Sequence, residues 1–148
     1  MKVHELTNAA AGAQRMLAVV LAKGEEVMTE LKRFARERGV GTCRITAVGA
    51  FERAKLGYYD RQRKEYLPIP VAEQAEVLAL VGDIADDEHG QPAVHLHAVL
   101  GLRDGSTRGG HLLEAIVWPT LEVIVTEAPA HLRKRFDKEA GLALLAAE

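Results

Sequence analysis

The chain has 148 residues, 48 % of them hydrophobic and 27 % charged, with a formal net charge of −2. That length supports one domain with a sizeable core, and the near-neutral balance excludes a surface that attracts polyanions everywhere; nucleic-acid contact would need a local basic patch. The lone cysteine, Cys43, excludes an intramolecular disulfide and fits a reducing, cytoplasmic setting, while no run approaches the roughly 20 apolar residues of a membrane helix.

Residues 1–14 lack a clear period and read as a poorly ordered lead-in, or an early strand at most, ahead of one domain over 15–148. Met16–Ala22 is short, apolar and followed by Lys23-Gly24-Glu25-Glu26, which suits a buried strand rather than a signal core. Residues 24–38 predict a helix, because Val27, Leu31, Phe34 and Ala35 recur on one face. Glu25, Glu26 and Glu30 sit towards its start, Lys32, Arg33, Arg36 and Arg38 towards its end, and Gly39 is placed to terminate it.

Beyond Gly39 the period becomes strand-like, with short strands expected at residues 42–49, 53–59 and 64–69. The polar connection at 59–65 carries Arg61, Arg63 and Lys64 beside Tyr58, Tyr59 and Tyr66. Such a tip usually serves solubility, but it is also a weak nucleic-acid candidate. Residues 75–85 are almost continuously apolar, the pattern of a strand covered on both faces. One helix covers only part of one face, so the other calls for a second copy of the chain.

Residues 93–112 hold half of the six histidines. His95 and His97 alternate to one face, about 6–7 Å apart along a strand. A turn at Asp104-Gly105 lays His111 beside them, and Gly109-Gly110 permits close backbone approach. Three imidazoles on one patch make a tridentate metal site, for which zinc is the best match because neutral nitrogens suit it. Pro119 is expected to mark a bend or edge between strand runs at 111–118 and 121–126. The tail from His131 adds a second weak basic cluster, Arg133, Lys134 and Arg135, and an apolar end at 141–145 expected to dock on the body.

Gly24-Glu25-Glu26-Val27, Gly57-Tyr58-Tyr59-Asp60, the 76–82 run, Val94-His95-Leu96-His97-Ala98, Gly109-Gly110-His111-Leu112-Leu113, Thr120-Leu121-Glu122-Val123 and Thr126-Glu127 occur in an order that resembles the PPC family, conserved in plants and prokaryotes. The resemblance covers roughly residues 15–145. It implies an α+β domain, a curved and mainly antiparallel sheet with one main helix packed on it, assembled as a homotrimer. It also implies a metal at His95, His97 and His111, the same residues chosen by strand alternation. Prokaryotic members are commonly described as DNA-binding through their plant counterparts, which carry AT-hooks; this chain contains no Arg-Gly-Arg-Pro segment.

The expected function is therefore a cytoplasmic PPC-domain protein, DNA-binding or regulatory, with a three-histidine zinc site. A metal-dependent small-molecule binder or enzyme of hydrolase or lyase type is one alternative, and a trimeric interaction module with structural histidines is another. An enzyme would need a general base in reach. Glu76 is the candidate on the preceding strand, whereas Glu114 falls on the far face from His111 if the strand is regular. No Ser-His-Asp order, nucleophile elbow or phosphate loop is present, so no catalytic residue is assigned.

Overall fold

The structure is a computed structural model and describes residues 1–6, 14–128 and 132–146. Its strands are β1 (Lys2–Glu5), β2 (Met16–Ala22), β3 (Thr42–Asp60), β4 (Glu65–Val71), β5 (Ala75–Asp86), β6 (Pro92–Gly101), β7 (Thr107–Glu127), β8 (Arg133–Asp137) and β9 (Leu142–Ala146). One helix, α1 (Val27–Arg38), lies among them. The sheet runs β1-β2-β7-β3-β5-β8-β9, with β4 added on β3 and β6 joined to both β5 and β7. Because β3 pairs with both β5 and β7, and β6 closes the gap between those two, the strands curl into a ring. All pairings are antiparallel except a single parallel bridge, Asp86 to Arg133, between β5 and β8.

Alternation sorts the side chains of this ring. Ile45, Leu56, Leu80, Ile84, Leu96, Leu100, Leu112 and Val123 point inward and are fully or almost fully buried. The helix closes the core from one side, packing on β6 and β7, with Val27, Leu31, Phe34 and Ala35 on its buried face. Each such large apolar side chain contributes about 1.5–3 kcal/mol on burial. Cys43 is buried with them, and burial pushes its thiol up to about 12, so it is inert packing rather than a nucleophile.

The expected helix and strands are present with specific differences, whereas the apolar end at 141–145 forms β9 on β8 and leaves Leu144 and Leu145 exposed rather than docked on the body. The helix begins at Val27, the first residue of its apolar stripe, rather than at residue 24, because Gly24 N–H donates to the Val117 carbonyl and Val117 N–H to that of Glu25, tying the entry to β7. Glu26 is the N-cap, accepting from the Met28 and Thr29 amides, and Gly39 ends the helix in the left-handed region. The runs at 42–49 and 53–59 form one strand, β3, bent by register shifts around Gly49 and Phe51 rather than broken. Likewise β7 runs through Pro119, which follows a cis peptide bond at Trp118. The ladder with β3 skips from Val117 to Leu121 there, while the ladder with β2 starts at Thr120. Within the expected lead-in, Lys2–Glu5 is a strand on β2; residues 7–13 and His131 lie outside the described residues.

The apolar run at 75–85 is β5, yet its outer side chains Leu78 and Val81 are 55 % and 47 % exposed. Val48, Val99 and Ile124 are exposed too. Thr46 pairs with both Val81 and Ile124, so exposed apolar side chains flank it on neighbouring strands on the outside of the ring.

Candidate metal centre

The closing strand β6 brings the histidines together. His95 and His97 share its outer face, and His97 is the direct cross-strand partner of His111 on β7. Close approach here depends on missing Cβ atoms. A Cβ on Gly110 would stand 2.8 Å from the Gly57 carbonyl oxygen, and one on Gly82 would stand 1.9 Å from that of His95.

One ligand atom from each of His95, His97 and His111 lies within 4.8 Å of the other two. The Nε2 atoms of His95 and His97 are 3.1 Å apart. Tetrahedral zinc with nitrogen ligands at about 2.0–2.1 Å separates them by about 3.3 Å, so this pair already has the spacing of a shared ion. The His95 and His111 rings stack at 5.1 Å, and His97 meets each nearly edge-on.

The surroundings favour ligand forms of the rings. Burial, with the neighbouring charges of His95, His97 and Lys134, lowers His111 to about 4. Burial and His95 also lower His97. Both imidazoles are therefore neutral at physiological pH, with a lone pair to give. On the far side of His111, Tyr66 stacks at 4.5 Å, and its hydroxyl lies 3.3 Å from Nδ1. Burial, then Tyr59, raises the Tyr66 pKa, keeping it a phenol. An Nδ1–H that donates to Tyr66 leaves Nε2 of His111 free. On the far side of His95, Asp83 Oδ2 lies 3.5 Å from Nδ1, the carboxylate–histidine arrangement that orients metal ligands. Burial pushes the Asp83 carboxyl up, but hydrogen bonds and charge from His95 and Lys134 outweigh it and hold the group below its ordinary value.

Asp83, Tyr66 and Lys134 were not singled out from sequence as partners of the histidines. The available signal was Asp83, an acid inside an apolar strand. Neither acid considered as a base belongs to the cluster formed by the histidines. Glu76 pairs with Gly101 whereas His97 pairs with Val81, a distance of about 15–17 Å along β5. At Glu114 the strand is irregular, because Leu113 is an extra residue against β3. Glu114 is ion-paired to Lys55 at 3.1 Å instead.

The basic candidates are not equivalent. Lys134 is 4 % exposed and its ammonium contacts Asp83 at 2.7 Å, so it is not presented to a phosphate backbone. Lys64 donates to the Lys138 carbonyl and Arg63 stands 3.9 Å from Glu65. Arg61, Arg133 and Arg135 are exposed.

Fold and site together describe an α+β protein whose curled antiparallel sheet carries three imidazoles on its outer surface. The model of the Plants and Prokaryotes Conserved (PCC) domain, also written PPC, matches residues 8–129, and the chain belongs to that family. A PPC protein from Pyrococcus horikoshii superposes with a TM-score of 0.84 at 31 % identity, over 94 % of this chain and 98 % of its own. A metal-containing protein from Archaeoglobus fulgidus gives 0.82 at 32 % identity, over 89 % and 93 % of the two chains. A Ralstonia eutropha JMP134 protein described as a "putative DNA-binding protein" gives 0.83 at 28 % identity, over 89 % and 91 %. A bifunctional protein GlmU from Synechococcus sp. (strain JA-3-3Ab) is 32 % identical over 86 % of this chain, which spans only 19 % of that protein's length. Among the described residues, no helix is long and apolar enough to cross a membrane.

Proposed function

We propose that this chain is a metal-binding PPC protein of the cytoplasm that holds zinc through His95, His97 and His111 in a single domain over residues 15–148. The carrying observation is the mutual approach of the three imidazoles to within 4.8 Å. The metal-containing relative from Archaeoglobus fulgidus supports the same reading. A zinc with three protein ligands supplies Lewis acidity at its fourth position. The chain's own part is to keep His97 and His111 neutral and to orient His95 and His111 from behind.

The exposed apolar stretch beside the site supports self-assembly, for which the homotrimer is the proposed form. His97 is opposite Val81, so the metal site borders that surface. DNA association is the second reading, favoured by the description of the Ralstonia relative and by exposed Arg61 and Arg133. It requires affinity for duplex DNA that falls steeply with salt, and no anisotropy change at micromolar protein in about 50 mM salt removes it.

Elemental analysis of protein purified without chelator tests the metal. One zinc per chain is expected, lost in the His95→Ala, His97→Ala double variant. Absence of metal, with no thermal shift on adding zinc, would leave a hydrogen-bonded histidine cluster in its place.

A further inference from the structure

We propose that Lys134, carried on the β8–β9 hairpin, is a positioning residue of the metal site: it holds the Asp83 carboxylate so that its other oxygen orients His95. This rests on the metal reading above and deepens it. Lys134 lies beyond the residues 8–129 matched by the family model, yet it is the one lysine among the described residues that is buried. A buried ammonium is costly unless paired. Its partner is Asp83, with Nζ 2.7 Å from Oδ1, while Oδ2 faces His95 Nδ1 at 3.5 Å.

The chain of contacts is set by register. Asp83 is directly opposite His95 in the β5–β6 ladder, and β8 meets β5 near its end through the bridge from Arg133 to Asp86. With one oxygen in ionic contact with the ammonium, the carboxylate is held so that its second oxygen stands 3.5 Å from Nδ1, placed to favour a proton on that nitrogen. That tautomer leaves the Nε2 lone pair of His95 beside Nε2 of His97, 3.1 Å away. Loss of the ammonium frees the carboxylate to rotate, and with it the ring.

Docking of the hairpin does not explain the lysine. The hairpin is held elsewhere by Tyr59, whose hydroxyl donates to the Ala140 carbonyl at 2.6 Å, and by Lys64, which donates to that of Lys138 at 2.7 Å. A buried ion pair is also often no more stabilising than an apolar pair of similar volume. Orientation of His95 is what an apolar replacement would not supply.

Zinc affinities of the whole chain, measured by competition with a chromophoric chelator, test this. Lys134→Met is expected to weaken zinc about 10-fold and Asp83→Asn about 10–100-fold. The double variant should bind no more weakly than Asp83→Asn alone, because the lysine acts through the aspartate. Lys134→Arg should recover to within about threefold, since it restores a cationic donor. Lys64→Met, which removes the other side-chain anchor at the Lys138 carbonyl, should leave affinity unchanged. Thermal unfolding of each zinc-free variant follows the fold separately. A readout needing no variant is the imidazole tautomer of His95 in zinc-free protein, by long-range nitrogen–proton NMR: protonation at Nδ1 is expected, and protonation at Nε2 alone overturns the proposal. Unchanged affinity in Lys134→Met, additive losses in the double variant, or an equal loss in Lys64→Met would also overturn it while leaving the metal site intact. Failure of the unaltered chain to bind zinc would overturn both readings.

Discussion

His95 and His97 face the same way because a strand alternates, and His111 joins them because a short turn fixes the register of the hairpin. Those facts are local, so the approach of the three histidines is legible from the sequence. What holds the site is not local. Gly82 carries no side-chain chemistry, but a Cβ there would overlap the His95 carbonyl oxygen at 1.9 Å. Backbone cannot rotate away as a side chain can. Gly82→Ala is expected to cost about 1–3 kcal/mol in urea denaturation and to weaken zinc by displacing His95; wild-type stability and affinity would refute this. The places of Asp83, Tyr66 and Lys134 beside the histidines are not legible in the sequence for the same reason. Their relation to the histidines depends on which strands are neighbours, and β5–β8 contact is a matter of chain return rather than of any adjacent residues.

At the scale of elements, the helix is specified twice, by its apolar stripe and by its ends. Glu26 accepts from the amides of Met28 and Thr29 and from the Thr29 hydroxyl, at 3.1, 2.8 and 2.6 Å respectively. Burial pushes its carboxyl up, but these bonds dominate and leave it below its ordinary value of 4.5. Glu26→Ala should cost about 1 kcal/mol at neutral pH. Because the folded carboxyl is the more acidic, this stabilisation is complete above about pH 4.5 and is lost as pH falls through the depressed value. Denaturation curves of the two proteins should therefore converge in acid; a gap independent of pH would contradict the cap. Strand ends were less legible than the helix. Periodicity identifies β3 and β7 as strands, but a bulge disrupts alternation just as a break does. The sequence around Gly49 and Pro119 therefore reads as two ends where the structure has one bent strand.

For the whole molecule, closure of the ring by β6 puts the histidine cluster outside, on the border of an exposed apolar face. Continuous apolarity at 75–85 pointed to cover on both sides, and within one chain Leu78 and Val81 lack it. On the proposed homotrimer, Leu78→Asp should leave the chain folded but shift its mass from about three times 16.1 kDa to 16.1 kDa in light scattering. A variant of unchanged mass would place the interface elsewhere. The central claim is the set of three imidazoles on one ion, and zinc K-edge absorption of the purified protein reads that set directly. The spectrum should require three imidazole nitrogens at about 2.0–2.1 Å and no sulfur. A sulfur shell, fewer than three imidazoles, or no bound zinc would contradict the account.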